Sequence, residues 1–199
     1  MIEVEKKFIL SNKNKEYLIK DAEFLGEKVF MDIYYDTNDF LLTSNDRWLR
    51  SREGRFELKV PLTREAHRSV DQYDELEDEQ KIKENLNLTL VGSMSDVLVK
   101  SGYSIFCTCK TTRRKYKKGS FNIDLDIVDL RAFIYNIGEI ELMVDKRSEI
   151  ESATDAIMSF AREQGLIITP VRGKVIEYLK RTKPGHYQTL IRAGVVNDF

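Results

Sequence analysis

Met1-Ile2-Glu3-Val4-Glu5-Lys6-Lys7-Phe8-Ile9-Leu10 opens the chain with a period of two. Side chains on a β-strand point to alternate faces. As a strand, this segment puts Glu3, Glu5 and Lys7 on one face. Ile2, Val4, Phe8 and Leu10 take the other, with Lys6 as the exception. Same-face neighbours stand about 7 Å apart, where two carboxylates repel by about 2 kcal/mol at an effective dielectric of about 20. Such a row is cheap to hold only against bulk water or around a cation. For this stretch alone, a solvated face is the simpler reading.

The same alternation recurs down the chain. Lys28 to Thr37 is a strand rich in aromatic and β-branched residues. In Trp48-Leu49-Arg50-Ser51-Arg52, Arg50 and Arg52 share a face, with Leu49 opposite. Glu53-Gly54-Arg55 makes a hairpin turn. In the return strand, Phe56 to Val60, Glu57 and Lys59 oppose Phe56, Leu58 and Val60, and Pro61 stops it. Val70 to Leu76 carries Asp71, Tyr73 and Glu75 on one face. The longest strand, about Ser104 to Lys117, carries Arg113 and Lys115. After Lys118-Gly119, Asp124 and Asp126 oppose Ile123, Leu125 and Ile127. In Asn136 to Val144, Glu139 and Glu141 oppose Ile140 and Leu142. That makes eight strands, antiparallel through their hairpins, a number at which sheets commonly close.

Helices are expected between and after them. Ser11 or Asn12 caps one through about Leu25, with Gly26 as its stop. Others span Glu77 to Asn85, Ser95 to Lys100, and Ser148 to Gln164 with Gly165 behind it. Gly173-Lys174 opens another, and Pro184 starts the last, through about Arg192. Thr63 to Ser69 reads as a polar, basic loop. No repeat, low-complexity tract or linker divides residues 1–199, which are read as a single domain.

Composition narrows the function. The 199 residues are 42% hydrophobic and 33% charged, with a formal net charge of −1. The absence of a basic excess argues against a nucleic-acid partner. No apolar run is long enough to span a bilayer, and a strand starting at Met1 leaves no room for a secretory signal; neither a membrane nor export is expected, and cytoplasm is the default. Cys107 and Cys109 form a C-x-C without a second pair for zinc; they read as small, partly buried residues in a reducing compartment. His67 and His186 are isolated and carry no assigned chemistry.

Seven of the eight strands have one charged and one apolar face. The few amphipathic helices need apolar surface to cover. Placing them outside the sheet turns the charged faces inward, so the expected fold is an α+β, eight-stranded antiparallel barrel enclosing a polar tunnel. Glu3, Glu5, Glu57, Glu75, Asp124, Asp126, Glu139 and Glu141 would line it, with Lys7, Arg50, Arg52, Lys59, Arg113, Lys115 and Lys174. Desolvated charges cost several kcal/mol each unless paired. Clustered acids suit hard divalent cations, and clustered Arg and Lys suit a polyanion. A polyphosphate chelated by magnesium supplies both.

These residues resemble a known family. Glu3-x-Glu5-x-Lys7 is similar to the ExExK signature of the CYTH superfamily, the triphosphate tunnel metalloenzymes. The series behind it strengthens the likeness: Trp48-Leu49-Arg50-Ser51-Arg52, Glu57-Leu58-Lys59, Glu75, Arg113, Asp124-Leu125-Asp126, Gly138-Glu139-Ile140-Glu141 and Gly173-Lys174. Tyr34-Tyr35-Asp36-Thr37, the Trp48 segment, Tyr178-Leu179-Lys180-Arg181 and Tyr187 are most similar to its thiamine-triphosphatase branch.

The resemblance implies magnesium-dependent hydrolysis of thiamine triphosphate to thiamine diphosphate and phosphate, with manganese as an alternative metal. The metal ligands it implies are Glu3, Glu5, Asp126, Glu139 and Glu141, with Asp124 a further candidate. Lys7, Arg50, Arg52, Lys59, Arg113 and Lys174 would hold phosphates, and Glu75 joins the substrate set. Glu3, Glu5, Lys7, Arg50 and Arg52 form the expected catalytic group. Trp48 is either a packing residue or a platform for the thiamine rings. The partner is then a small-molecule triphosphate, and the chain is taken as a monomer. Competing readings are an inorganic tripolyphosphatase, a nucleoside or RNA triphosphatase, an adenylyl cyclase on the same tunnel, or a silent polyphosphate-binding protein.

Overall fold

The computed structural model describes residues 2–62 and 70–197. The expected loop Thr63 to Ser69, with His67, lies outside them. Among the described residues, eight strands run in chain order: β1 (Ile2–Phe8), β2 (Glu23–Thr37), β3 (Trp48–Arg52), β4 (Arg55–Pro61), β5 (Asp71–Leu76), β6 (Tyr103–Lys118), β7 (Phe121–Asp129) and β8 (Ile134–Val144). All pair antiparallel in the order β1-β5-β4-β3-β2-β6-β7-β8, and the sheet closes because β1 bonds to both β5 and β8. Among the described residues, six α-helices accompany them: α1 (Asn12–Ile19), α2 (Glu79–Asn85), α3 (Met94–Lys100), α4 (Ile150–Glu163), α5 (Lys174–Thr182) and α6 (Pro184–Arg192).

Turn chemistry sets the registers. Glu53 and Gly54 both have positive φ, 49° and 83°, as a tight two-residue hairpin between β3 and β4 requires. Pairing Arg50 with Glu57 and Trp48 with Lys59 then places every charged β3 side chain opposite a charged β4 one. Gly119, at φ 59°, turns β6 into β7, which pairs Arg113 with Asp126 and Lys115 with Asp124.

The outer, apolar faces are covered by helices. Ile2, Val4 and Phe8 of β1, Ile123 of β7 and Ile140 of β8 pack with Leu18 of α1 and Ala153, Ile157, Phe160 and Ala161 of α4. Leu49, Phe56 and Leu58 of β3 and β4 pack with Ile82 and Leu86 of α2 and Met94 and Leu98 of α3. Burying a Leu, Ile or Phe side chain contributes roughly 1.5–3 kcal/mol, so these two layers hold the helices on the barrel.

The C-terminal helices do something different. Val175 and Leu179 of α5 and Tyr187 and Leu190 of α6 pack with Tyr34, Cys107, Cys109, Val128 and Ile137. Those five strand residues share parity with Asp32, Arg113, Asp126 and Glu139, so they lie on the inward face. The two helices therefore close one end of the barrel. Both thiols are buried and unbridged, as their place on this apolar face demands.

One element is shorter than its sequence suggests. The helix expected through Leu25 ends at Ile19. Asp21 takes φ 59° and Glu23 already pairs with Lys117 in β2. Cross-strand packing of Phe24 on Tyr116, centroids 5.2 Å apart, outweighs the helical spacing of Leu18, Ala22 and Leu25. Gly26, expected as the helix stop, instead sits at a β-bulge with φ 134°.

A charged tunnel as candidate active site

Seven strands turn long polar side chains into one cavity of about 570 Å³. β1 supplies Glu3, Glu5 and Lys7; β2 Tyr34; β3 Trp48, Arg50 and Arg52; β4 Lys59. β5 adds Asp71 and Tyr73, β6 Arg113, and β8 Glu139 and Glu141. Lys174, the first residue of α5, enters from the capped end. Asp124 and Asp126 of β7 stand behind Arg113, and Glu75 stands beside Lys59.

The charges are paired in detail. Arg113 donates to both oxygens of Asp126, at 2.7 Å each, and to Glu139 at 2.8 Å. Arg50 donates to Glu57 through Nε at 2.7 Å. Lys59 bonds to Glu3 and lies 2.9 Å from Glu75. Lys7 bonds to Glu5 and donates to Asp71 at 2.6 Å. Asp32, fully buried, accepts from Arg52 Nε at 2.7 Å and from Lys174 Nζ at 2.6 Å. The Phe30 ring, one step along β2, has Arg52 4.0 Å, Lys174 5.6 Å and Arg113 5.8 Å from its centroid. Six cations are thus held in place before any ligand arrives.

The acids divide into two kinds. Burial opposes the charge of Glu5, but Lys7 and Lys59 outweigh it and hold its carboxyl low. Asp32 is likewise held low against burial by Lys174 and Arg52. Glu3 is pushed up to about 7 by burial and by the charge of Glu5. Glu141 is raised well above the usual carboxylate range by burial and by Asp124, Glu3 and Glu139. Glu139 is raised by burial and by Glu5. Crowded, desolvated carboxyls that resist ionisation are what a hard divalent cation relieves.

Geometry agrees with that chemistry. Glu3, Glu5 and Glu141 each present an oxygen within 4.8 Å of the others, and Asp124, Glu139 and Glu141 do the same. Glu141 belongs to both groups. Asp124 is fully buried beside Arg113, yet neither of its oxygens accepts an aligned hydrogen bond. An all-oxygen donor set with such an acid at its edge fits a hard divalent cation and not a thiolate-seeking metal.

Every expected site residue reaches this tunnel or its immediate backing. Asp32, Asp71, Phe30 and Tyr34 were missing from the expected lining. β2 reads as an aromatic strand, and its rings draw the reading away from Asp32. The available signal was parity: Asp32 alternates with Phe30 and Tyr34, and its register partner is Arg52.

The sequence profile of the CYTH domain matches residues 1–167. Human thiamine-triphosphatase is 31% identical over 212 residues, covering 98% of this chain and 91% of that protein. The thiamine-triphosphatase of Macaca fascicularis is 30% identical over the same shares. Among solved structures, a Pyrococcus horikoshii protein superposes with a TM-score of 0.64 at 22% identity, covering 90% of this chain and 99% of that one. A Hippeastrum protein described as having a dominant triphosphatase activity superposes with a TM-score of 0.53 at 16% identity, over 91% of this chain and 95% of that one. At such identities the structural likeness is one of fold. The matched profile spans most of the chain and ends just before the helices that cap the tunnel, and the chain belongs to the CYTH domain family.

Proposed function

We propose that this protein is a metal-dependent phosphohydrolase that cleaves thiamine triphosphate to thiamine diphosphate and phosphate. The observation that carries the reading is the convergence of Lys7, Arg50, Arg52, Lys59, Arg113 and Lys174 with clustered carboxylates on one cavity. The two curated relatives, named for this activity and aligned over nearly the whole chain, favour the organic substrate.

The proposed metal ligands are Glu3, Glu5, Asp124, Asp126, Glu139 and Glu141. Asp126 gives both oxygens to Arg113 and must release one to take part. Bound there, magnesium would polarise phosphoryl oxygens and lower the pKa of an attacking water. The chain itself binds and orients. Arg50 and Arg52 are fork donors suited to two phosphoryl oxygens each, and Lys7, Lys59 and Lys174 are point charges. Each cation keeps its backing carboxylate and turns its remaining N–H donors to phosphate. The water's oxygen bonds to the terminal phosphorus as a tunnel carboxylate takes its proton, the bridging P–O bond breaks, and its electron pair leaves with the diphosphate. Cations fixed by Asp32, Glu57, Glu75 and Phe30 need little reorganisation as charge moves to that bridge. Trp48 is the proposed platform for the thiamine rings.

Phosphate release from thiamine triphosphate, tripolyphosphate and ATP, each with magnesium, tests this. The highest kcat/KM is expected for thiamine triphosphate. Much faster turnover of tripolyphosphate would show that the organic group goes unread. Tight binding of all three without release would make the protein a polyphosphate binder.

A further inference from the structure

Asp46 sits between a single 3-10 turn, Thr43–Asn45, and the start of β3, in the left-handed conformation at φ 57°. Its backbone N–H donates to the Thr43 carbonyl at 3.0 Å, which fixes the residue from behind. Its side chain is buried and points forward. One carboxylate oxygen, Oδ1, accepts from Trp48 Nε1 at 2.9 Å and from Tyr73 O–H at 2.8 Å. Trp48 belongs to β3 and Tyr73 to β5, with β4 between them in the sheet. A single oxygen therefore ties together two rings from strands that are not neighbours in the sheet. Asp46, Trp48 and Tyr73 all line the tunnel.

The pair lies beside the cations. Trp48 pairs in register with Lys59 and stands two residues before Arg50 on the same face. Lys59 Nζ is 5.6 Å from the Tyr73 centroid. Any group carried on a phosphate held by Arg50 and Lys59 emerges next to these rings.

We propose that Asp46 is a positioning residue: by fixing Trp48 and Tyr73 it builds an aromatic wall that reads a planar, cationic organic group attached to the triphosphate. This rests on the triphosphatase reading above. A cationic ring gains from an indole or phenol face held still. Inorganic tripolyphosphate carries no such group and is blind to the wall.

Trp48 is the chain's single tryptophan, so all indole fluorescence reports on it. The experiment compares wild type, Asp46→Ala, Asp46→Asn and Tyr73→Phe. It reads the anisotropy decay of Trp48, its quenching by thiamine diphosphate and by inorganic diphosphate, and KM and kcat for thiamine triphosphate and tripolyphosphate. In Asp46→Ala the indole is expected to gain nanosecond rotation and to lose its quenching by thiamine diphosphate. KM for thiamine triphosphate rises about tenfold with kcat within about twofold, while KM for tripolyphosphate stays put. Asp46→Asn keeps an acceptor oxygen and recovers most of the loss. Tyr73→Phe removes one of the two bonds without a cavity and gives a smaller shift in the same direction.

An unchanged anisotropy decay overturns the proposal, as does an equal KM rise for both substrates, which a merely structural role predicts. Failure of Asp46→Asn to recover binding overturns it too, because charge rather than geometry would then be at work. The quenching and anisotropy readouts do not depend on turnover. If wild type fails to cleave thiamine triphosphate, the hydrolase reading falls, while these two still decide the role of Asp46.

Discussion

The two halves of the barrel interior face inward by the same alternation and are built from opposite chemistry. At one end, Glu3, Glu5, Lys7, Arg50, Arg52, Lys59, Arg113, Glu139 and Glu141 line a wide, polar cavity. At the other, Cys107, Cys109, Val128 and Ile137 carry the inward face, and α5 and α6 pack onto them. Period two decides which side chains point in. Position along the strand decides whether they meet water, a ligand or a helix. Lys174 stands at the seam, on the first turn of the capping helix, with its ammonium on Asp32. The cap thus shapes one wall of the charged half.

Breaking that seam should have the largest effect. Asp32→Ala leaves Arg52 and Lys174 without their buried partner, and a loss of about 3–5 kcal/mol is expected in denaturant unfolding. Tripolyphosphate should restore much of it by giving both cations an anion. An unfolding midpoint equal to wild type would show that the two halves are not coupled through Asp32.

Within the charged half, Glu5→Gln should lower kcat by roughly a hundredfold to a thousandfold, the scale of losing one strong transition-state contact. Folding should survive, because Lys7 retains Asp71 and Lys59 retains Glu3 and Glu75. Normal turnover would take Glu5 out of the proposed mechanism.

The capped half should respond to acid instead. His186 of α6 is buried, stacked on Phe40 at 3.8 Å, and its Nε2 lies 2.7 Å from Thr43 Oγ1. Burial pushes its pKa down from 6.5 to about 4. Between these values the unfolded chain binds a proton that the folded chain refuses. The contribution is fully present above pH 6.5 and is lost as pH falls towards 4, by about 3 kcal/mol in total. The raised carboxyls of the tunnel titrate alike in wild type and His186→Gln. The stability of wild type relative to His186→Gln should therefore fall as pH drops below 6.5. A constant difference would mean that this histidine does not titrate out of reach of water.

Smallest is Trp48→Ala, expected to raise KM for thiamine triphosphate about tenfold, on the scale of 1–2 kcal/mol for one stacked cationic ring. An unchanged KM would return Trp48 to packing.

Much of this comparison is legible before any coordinates. The charged half repeats one sign along several strands, as Glu3 and Glu5, Arg50 and Arg52, Asp124 and Asp126, and Glu139 and Glu141 do, and a local period of two suffices to find it. Asp32 escapes because its partners lie 20 and 142 positions away, on β3 and α5. The cap is only half visible. The apolar spacing of Val175, Leu179 and Leu190 marks amphipathic helices, but nothing local says that they land on Cys107 and Cys109. The overlong first helix fails for a related reason: Phe24 gains more from Tyr116, far along the chain, than from its own turn.

The central claim is that the polar half of the interior is where a triphosphate and its metal bind. The most direct test is an experimental structure of the protein with tripolyphosphate and magnesium. The phosphates are expected on Arg50, Arg52, Lys59 and Lys174, with the metal on Glu3, Glu5, Glu139 or Glu141. Phosphate density outside the barrel, with the tunnel's ion pairs unbroken, would contradict it.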